Sequence, residues 1–218
     1  SLKLRIEKEN FNQIGIAINL FTKLDKNKTF KICEELDFNQ IAKKTEKLNL
    51  AAIQNGLREI NGSNNFLAFQ LFNRLTNDFL KLKFEQADFQ SVGEAASNLI
   101  KINRQKTIEL IRLIPDEFFK TLISDSDYTY QQFATTIEKL TQIDFGRFAN
   151  ITRDSDTEKI ASKILASINK TGQQIFIHHF PTLANIDWKI TNKIISELST
   201  EYLYNLLNQL NQKHFCIY

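Results

Sequence analysis

Apolar residues recur along the chain at helical intervals of three and four. Phe11, Ile14, Ala17, Ile18, Phe21 and Leu24 share one face of a first helix. Phe30, Cys33 and Leu36 suggest a second, and Asp37, with Gln40 three residues on, offers an N-terminal cap for a third carrying Phe38, Ile41 and Leu48. A fourth is predicted from Leu50 to Ile60. It is expected to stop at Asn61-Gly62-Ser63-Asn64-Asn65, the clearest loop signal in the chain. A long helix then runs through Leu67, Leu71, Leu75, Phe79 and Leu82, with Gly93 beside a short connection. Asn103 precedes Ile108, Ile111 and Leu113. Pro115 suits the first turn of the next helix, because proline lacks only an N–H that has no partner there. Asp127 opens a helix through Phe133, Ile137 and Leu140. Ser155 and Glu158 read as a capping box before Ile160, Ile164 and Ile168. Two or three further helices reach Leu210. The tail from His214 to Tyr218 is too short and apolar to stay helical in water, and it is expected to dock on the body or extend as a short strand.

The pattern predicts an all-α fold, an irregular array or superhelix of about a dozen short helices with armadillo-like stacking. Sustained heptads are absent, which argues against a long coiled coil. No strict repeat period is evident, so tetratricopeptide and ankyrin patterns are not supported. The polar stretch Ser124-Asp125-Ser126-Asp127 suggests a boundary between an N-terminal helical domain, 1–123, and a C-terminal one, 128–218.

Composition narrows this reading. Of 218 residues 42% are hydrophobic and 24% charged, a globular balance rather than a disordered one. Only 6 Gly and 2 Pro argue against an all-β protein, which needs frequent turn residues. No apolar run reaches the ~18 residues of a membrane helix, so no integral membrane segment is expected. Ser1-Leu2-Lys3 shows no secretory leader. The two cysteines, Cys33 and Cys216, cannot build a disulfide scaffold and suggest a reducing compartment. Methionine is absent and Val92 is the single valine. With abundant Lys, Asn, Ile and Phe, that bias resembles coding from an AT-rich genome.

Catalytic signatures are few. Phosphate-binding glycine loops, zinc-binding helices and paired-cysteine motifs are all missing, and no cofactor is expected. His178 and His179 are adjacent, so on a helix their rings diverge by about 100° and share a metal poorly. Cys33 lies on an apolar stripe and reads as a small buried hydrophobe. His214 and Cys216 are the one pair that could serve nucleophilic chemistry. The acidic residues Glu34, Glu35, Asp154 and Asp156 suit helix ends and polar faces. Lys23, Lys26, Lys28, Lys31, Lys43, Lys44 and Lys47 cluster, but Asp25, Glu34, Glu35 and Glu46 interleave with them. A phosphate footprint would carry one sign, so nucleic acid is not expected as a partner.

Two stretches resemble the flagellar motor switch protein FliG, a bacterial ring protein of stacked helical domains. One is Gly15 to Leu24, continuing through Ile32, Leu36-Asp37, Ile41 and Leu48. The other is Lys163 to Lys170, continuing through Ile175-Phe176, Leu183 and Ile186 to Leu198. Thr107-Ile108 through Leu110-Ile111 is a weaker echo of the family's middle domain. The resemblance implies a helical superhelix, a role in protein assembly, and partners among flagellar basal-body components or further copies of the chain. It implies a cytoplasmic place peripheral to the inner membrane. The positions matching the family's charged torque helix are Thr171, His178, His179 and Asp187, and these form the candidate interaction surface. The family's charges are not retained there, and its Gly-Pro-Val turn is replaced by Ala184-Asn185-Ile186. Charge-based coupling to a stator is therefore not implied.

Three functions remain open on the sequence. The first is a non-enzymatic protein–protein assembly module, which should expose an apolar patch or groove. The second is a bacterial effector or regulatory helical domain that binds a partner protein. The third is an enzyme with a nonstandard site, or a helical array that binds nucleic acid.

Overall fold

The computed structural model describes residues 2–171, 180–181, 183–204 and 208. Among the described residues every regular element is an α-helix. These are α1 Leu2–Lys8, α2 Phe11–Leu24, α3 Lys26–Glu34, α4 Phe38–Lys43, α5 Leu50–Ser63, α6 Asn65–Arg74, α7 Asn77–Glu85, α8 Phe89–Ile102, α9 Arg104–Leu113, α10 Asp116–Asp125, α11 Tyr130–Thr141, α12 Phe145–Arg153, α13 Thr157–Thr171 and α14 Trp188–Glu197. The all-α expectation holds.

The helices fall into a repeating set of three, which the sequence reading did not find. A long helix, a shorter second and a third follow one another. The long helices are capped by Asn10, Asn49, Asp88 and Thr129, so the first three units start 39 residues apart and the next 41. Fifteen residues after each of these caps comes a single corner residue: Asp25, Asn64, Asn103 and Asp144. Asp187 is a fifth corner, before α14. All five are extended, with φ between −148° and −153° and ψ between 91° and 103°. Each corner does two jobs. Its N–H donates back to a carbonyl four residues earlier, at Phe21, Ile60, Leu99, Leu140 or Leu183. Its side chain accepts an N–H from the first turn of the next helix. A short acceptor such as Asp or Asn thus closes one helix with its N–H and opens the next with its side chain, within one residue. Thr29, Thr107 and Thr191, four residues past their corners, donate their hydroxyls to the corner carbonyls at 2.7, 2.8 and 3.0 Å.

A second bend lies twelve residues past each corner, at Asp37, Thr76, Pro115, Asp156 and Ser199. Four of these accept first-turn N–H groups, and Pro115 stands just before α10. Four residues further, Ile41, Leu80, Phe119 and Ile160 are all buried.

Two compact units divide between Pro115 and Asp116. The expected boundary at 123–128 lies inside the second unit, because α10 packs on α12 and α13 there. In the first unit, α5 lies between the long helices α2 and α8. The third helix of one set packs on the second helix of the next: α4 on α6 and α7 on α9. The helix α1 stands in the same relation to α3. In the second unit, α10 on α12 and α13 on α14 repeat that relation, and α11 packs on α12 and α13. The Phe119 and Phe148 rings meet edge to face at 4.9 Å in this unit, and the Arg147 guanidinium lies over both.

Several local expectations change. The Asn61–Asn65 stretch is not a loop, for α5 continues to Ser63 and Asn64 alone makes the break. The long helix expected across Leu67–Leu82 is two helices, parted at Leu75 and Thr76. Gly93 is buried within α8. Thr129, not Asp127, opens α11, through a reciprocal capping box with Gln132. Asp156 accepts from Lys159 N–H ahead of α13, while the Ser155 hydroxyl donates to the Ile151 carbonyl instead. The expectations for Leu210 and the tail lie outside the described residues.

Candidate functional site

Of the four residues proposed as an interaction surface, His178 and His179 lie outside the described residues, as do His214 and Cys216. Thr171 is the last residue of α13. Asp187 is 1% exposed. Its Oδ1 accepts from Lys189 N–H at 2.8 Å, its carbonyl accepts from the Thr191 hydroxyl, and its Oδ2 has no partner among the described residues. Asp187 is therefore committed to the fold as a corner. Of the four positions the structure describes Thr171 and Asp187 alone.

Other polar candidates are also engaged in the fold. Cys33 is 1% exposed, and burial pushes its thiol up to about 11, with a smaller opposing pull from its hydrogen bond to Asn64. It is a packed hydrophobe, as its stripe suggested. The surface hollows hold lysines that serve backbone carbonyls. Lys163 donates to the Ser124 and Ser126 carbonyls, both at 2.7 Å. Lys106 donates to Phe72 at 2.8 Å, to Leu75 at 2.5 Å and to Asn73 at 3.3 Å, and burial draws its ammonium down to about 8. Lys44 donates to the Glu7 and Glu9 carbonyls, and Lys83 to the Glu46 carbonyl at 2.9 Å. Lys44, Lys83 and Lys163 occupy one position, seven residues past the third cap of their sets. Each ties its third helix to the end of the preceding one. Leu122 holds that place in α10. No group of three metal-ligating side chains occurs among the described residues.

The remaining feature is apolar. Ile16, Leu20 and Leu24 are 53, 57 and 81% exposed and lie four residues apart on α2, so they share one stripe. Leu24 was expected in the core and is the most exposed of the three. Phe66, Leu82, Leu113, Phe145 and Trp188 are also exposed, on other elements. Sequence reasoning missed the stripe because it followed the stronger face, Phe11, Ile14 and Ile18. The signal was there: Ile16, Leu20 and Leu24 form a second apolar set with the same spacing.

At the C-terminal end of this stripe Lys23, Lys26, Lys28 and Lys31 are all exposed. None makes an ion pair among the described residues, although the Lys26 ammonium lies 5.8 Å from the centre of the Phe30 ring. Asp25 is the one acid within residues 23–31, and its carboxylate caps α3 through Lys28 N–H. Glu34 and Glu35 follow at the end of α3. No helix among the described residues is long and apolar enough to cross a membrane.

Neither a protein-family model, nor a curated protein, nor a solved structure matches this chain.

Proposed function

We propose that the chain is a non-enzymatic assembly module, a helical-repeat scaffold whose faces bind other proteins. The recurring three-helix set carries this reading. Such sets spend their polar side chains on corners and carbonyl latches and leave large apolar side chains exposed on several helices. Proteins that use such faces as contact surfaces leave apolar side chains open on them.

Incorporating a photo-crosslinking amino acid at Leu20, Leu82, Leu113 or Phe145 tests this in the cells that make the protein. These four residues are exposed, so the probe should not disturb folding. A discrete adduct heavier than the 25.4 kDa chain is expected from at least one position. Absence of adducts from all four would contradict an assembly role.

The resemblance to the flagellar motor switch protein supplies a narrower form of the proposal. In that form the adduct contains a switch-ring component, and the purified chain co-sediments with isolated basal bodies. Its first stretch falls on positions that the repeat itself uses. Gly15 and Ile18 pack the long helix, Asp37 makes the second bend and Ile41 is core.

A further inference from the structure

The stacking of long helices defines a receiving face. On α5, Glu59, Gly56 and Ile60 lie against Gly15 of α2, and Gly56 also meets Phe11. On α8, Asn98 donates to Gln54 of α5. The contacts advance along both partners together, so the helices run parallel. Stepping back 39 residues from Gly56, Glu59 and Ile60 leads to Ala17, Leu20 and Phe21 of α2. Leu20 also corresponds to Asn98. The stripe on α2 is thus the same receiving face, with no long helix of the described chain seated on it.

Its composition differs from the occupied faces. Where α5 has Asn55, Glu59 and Ser63, α2 has Ile16, Leu20 and Leu24. The receiving face is more apolar on α2, where it is open, than on α5 or α8, where it is covered, the reverse of what exposure to water favours. Four exposed lysines stand at its end.

We propose that this face seats one amphipathic helix of a partner protein. That helix runs parallel to α2 and presents a large apolar residue followed four positions later by a small one, as Phe11 and Gly15 do toward α5. Acidic side chains on it meet Lys23, Lys26, Lys28 and Lys31. The inference rests on the assembly reading and makes it specific. A second copy is the poorer occupant. Phe11 and Gly15 of α2 are already buried, as are Leu50 and Gln54 of α5, and a second copy's α2 laid parallel on this face would bring the lysine clusters together.

The test uses the full chain and a fluorescein-labelled 16-residue peptide with the sequence of residues 88–103 and the substitution Lys101→Glu. The peptide carries Phe89 and Gly93 at the required spacing, and acidic side chains. Fluorescence anisotropy should show saturable binding. Leu20→Glu should weaken it at least about tenfold, near 1.4 kcal/mol, while Leu82→Glu, at another exposed leucine, should leave it unchanged. Raising ionic strength should also weaken it, because the lysines contribute in water. Circular dichroism should show both variants folded, since Leu20 and Leu82 are each 57% exposed. No saturation below about 1 mM, equal affinity for Leu20→Glu, or a peptide-free dimer that Leu20→Glu dissociates would each overturn the proposal. If crosslinks from Leu113 or Phe145 survive such a failure, the assembly role stands and only this seat is lost.

Discussion

Gly56 and Gly62 lie on the same helix, and their surroundings are opposite. A methyl group at Gly56 would fall 2.5 Å from Phe11 Cδ1 and 3.0 Å from Asn12 Oδ1. Phe11 is 2% exposed and its ring has little room to retreat. A methyl group at Gly62 would meet nothing within 4 Å. The intrinsic gain from replacing a helical glycine by alanine is about 0.5–1 kcal/mol, and overpacking costs about 1–3 kcal/mol. Gly56→Ala should therefore destabilise the protein by roughly 1–2 kcal/mol. Gly62→Ala should stabilise it by up to about 1 kcal/mol. Urea denaturation midpoints measured on both variants check the pair, and a shift in the same direction for both would refute the close approach of α2 and α5. In the sequence Gly62 reads as part of a loop, and nothing marks Gly56 as a contact. A glycine in sequence does not reveal whether its missing side chain is a hinge or a contact; only the neighbouring helix decides.

The helices themselves were legible, because one buried face repeats every three to four residues whatever covers it. Their ends were less so. At Asn64 one side chain and one N–H terminate α5 and start α6, so a cluster rich in loop formers shrinks to a single residue. At Ser155 and Glu158 the pattern matched a capping box, yet the neighbouring Asp156 takes the first-turn N–H. A carboxylate accepts that bond more strongly than a hydroxyl does. The carbonyl latches belong to this scale too. Lys163 serves two carbonyls at the C-terminal end of α10, Ser124 within it and Ser126 just past it, and lies 5.1 Å from the Tyr128 ring centre. Lys163→Met should cost about 1–3 kcal/mol, because it strips partners from part-buried carbonyls. Lys81, paired with Glu85 at 3.8 Å on one helix, is the control. Lys81→Met should cost less than about 0.5 kcal/mol. Thermal or urea unfolding of the two variants decides, and equal losses would show that the latch is an ordinary surface contact.

At the scale of the whole molecule, the period was illegible because no residue identity carries it. The long-helix caps are Asn10, Asn49, Asp88 and Thr129. The buried position five residues past each cap reads Gly15, Gln54, Gly93 and Ala134. The second bend reads Asp37, Thr76, Pro115 and Asp156. What is kept is a role: an acceptor at the cap, a buried residue five positions on, and a stop that needs no N–H bonded behind it. Roles of that kind show only when the backbone places them in equivalent positions. The candidate site was hidden for the same reason. Ile16, Leu20 and Leu24 look like any apolar helix face until the repeat identifies which face normally receives a neighbour. The proposed histidine and aspartate surface came instead from a resemblance, and Asp187 is now a corner of the fold.

The helix α2 presents, open to water, the face that α5 and α8 keep covered. Maleimide labelling of single cysteines reads this exposure, in a Cys216→Ser background that leaves only the buried Cys33. Leu20→Cys and Ala95→Cys sit on the receiving faces of α2 and α8, at 57% and 0% exposure in the native residues. Leu20→Cys should react at nearly the rate of a free thiol and Ala95→Cys at least about a hundredfold more slowly, since labelling there requires local opening. Similar rates at the two positions, whether both fast or both protected, would mean that α2 and α8 do not differ in the cover over this face.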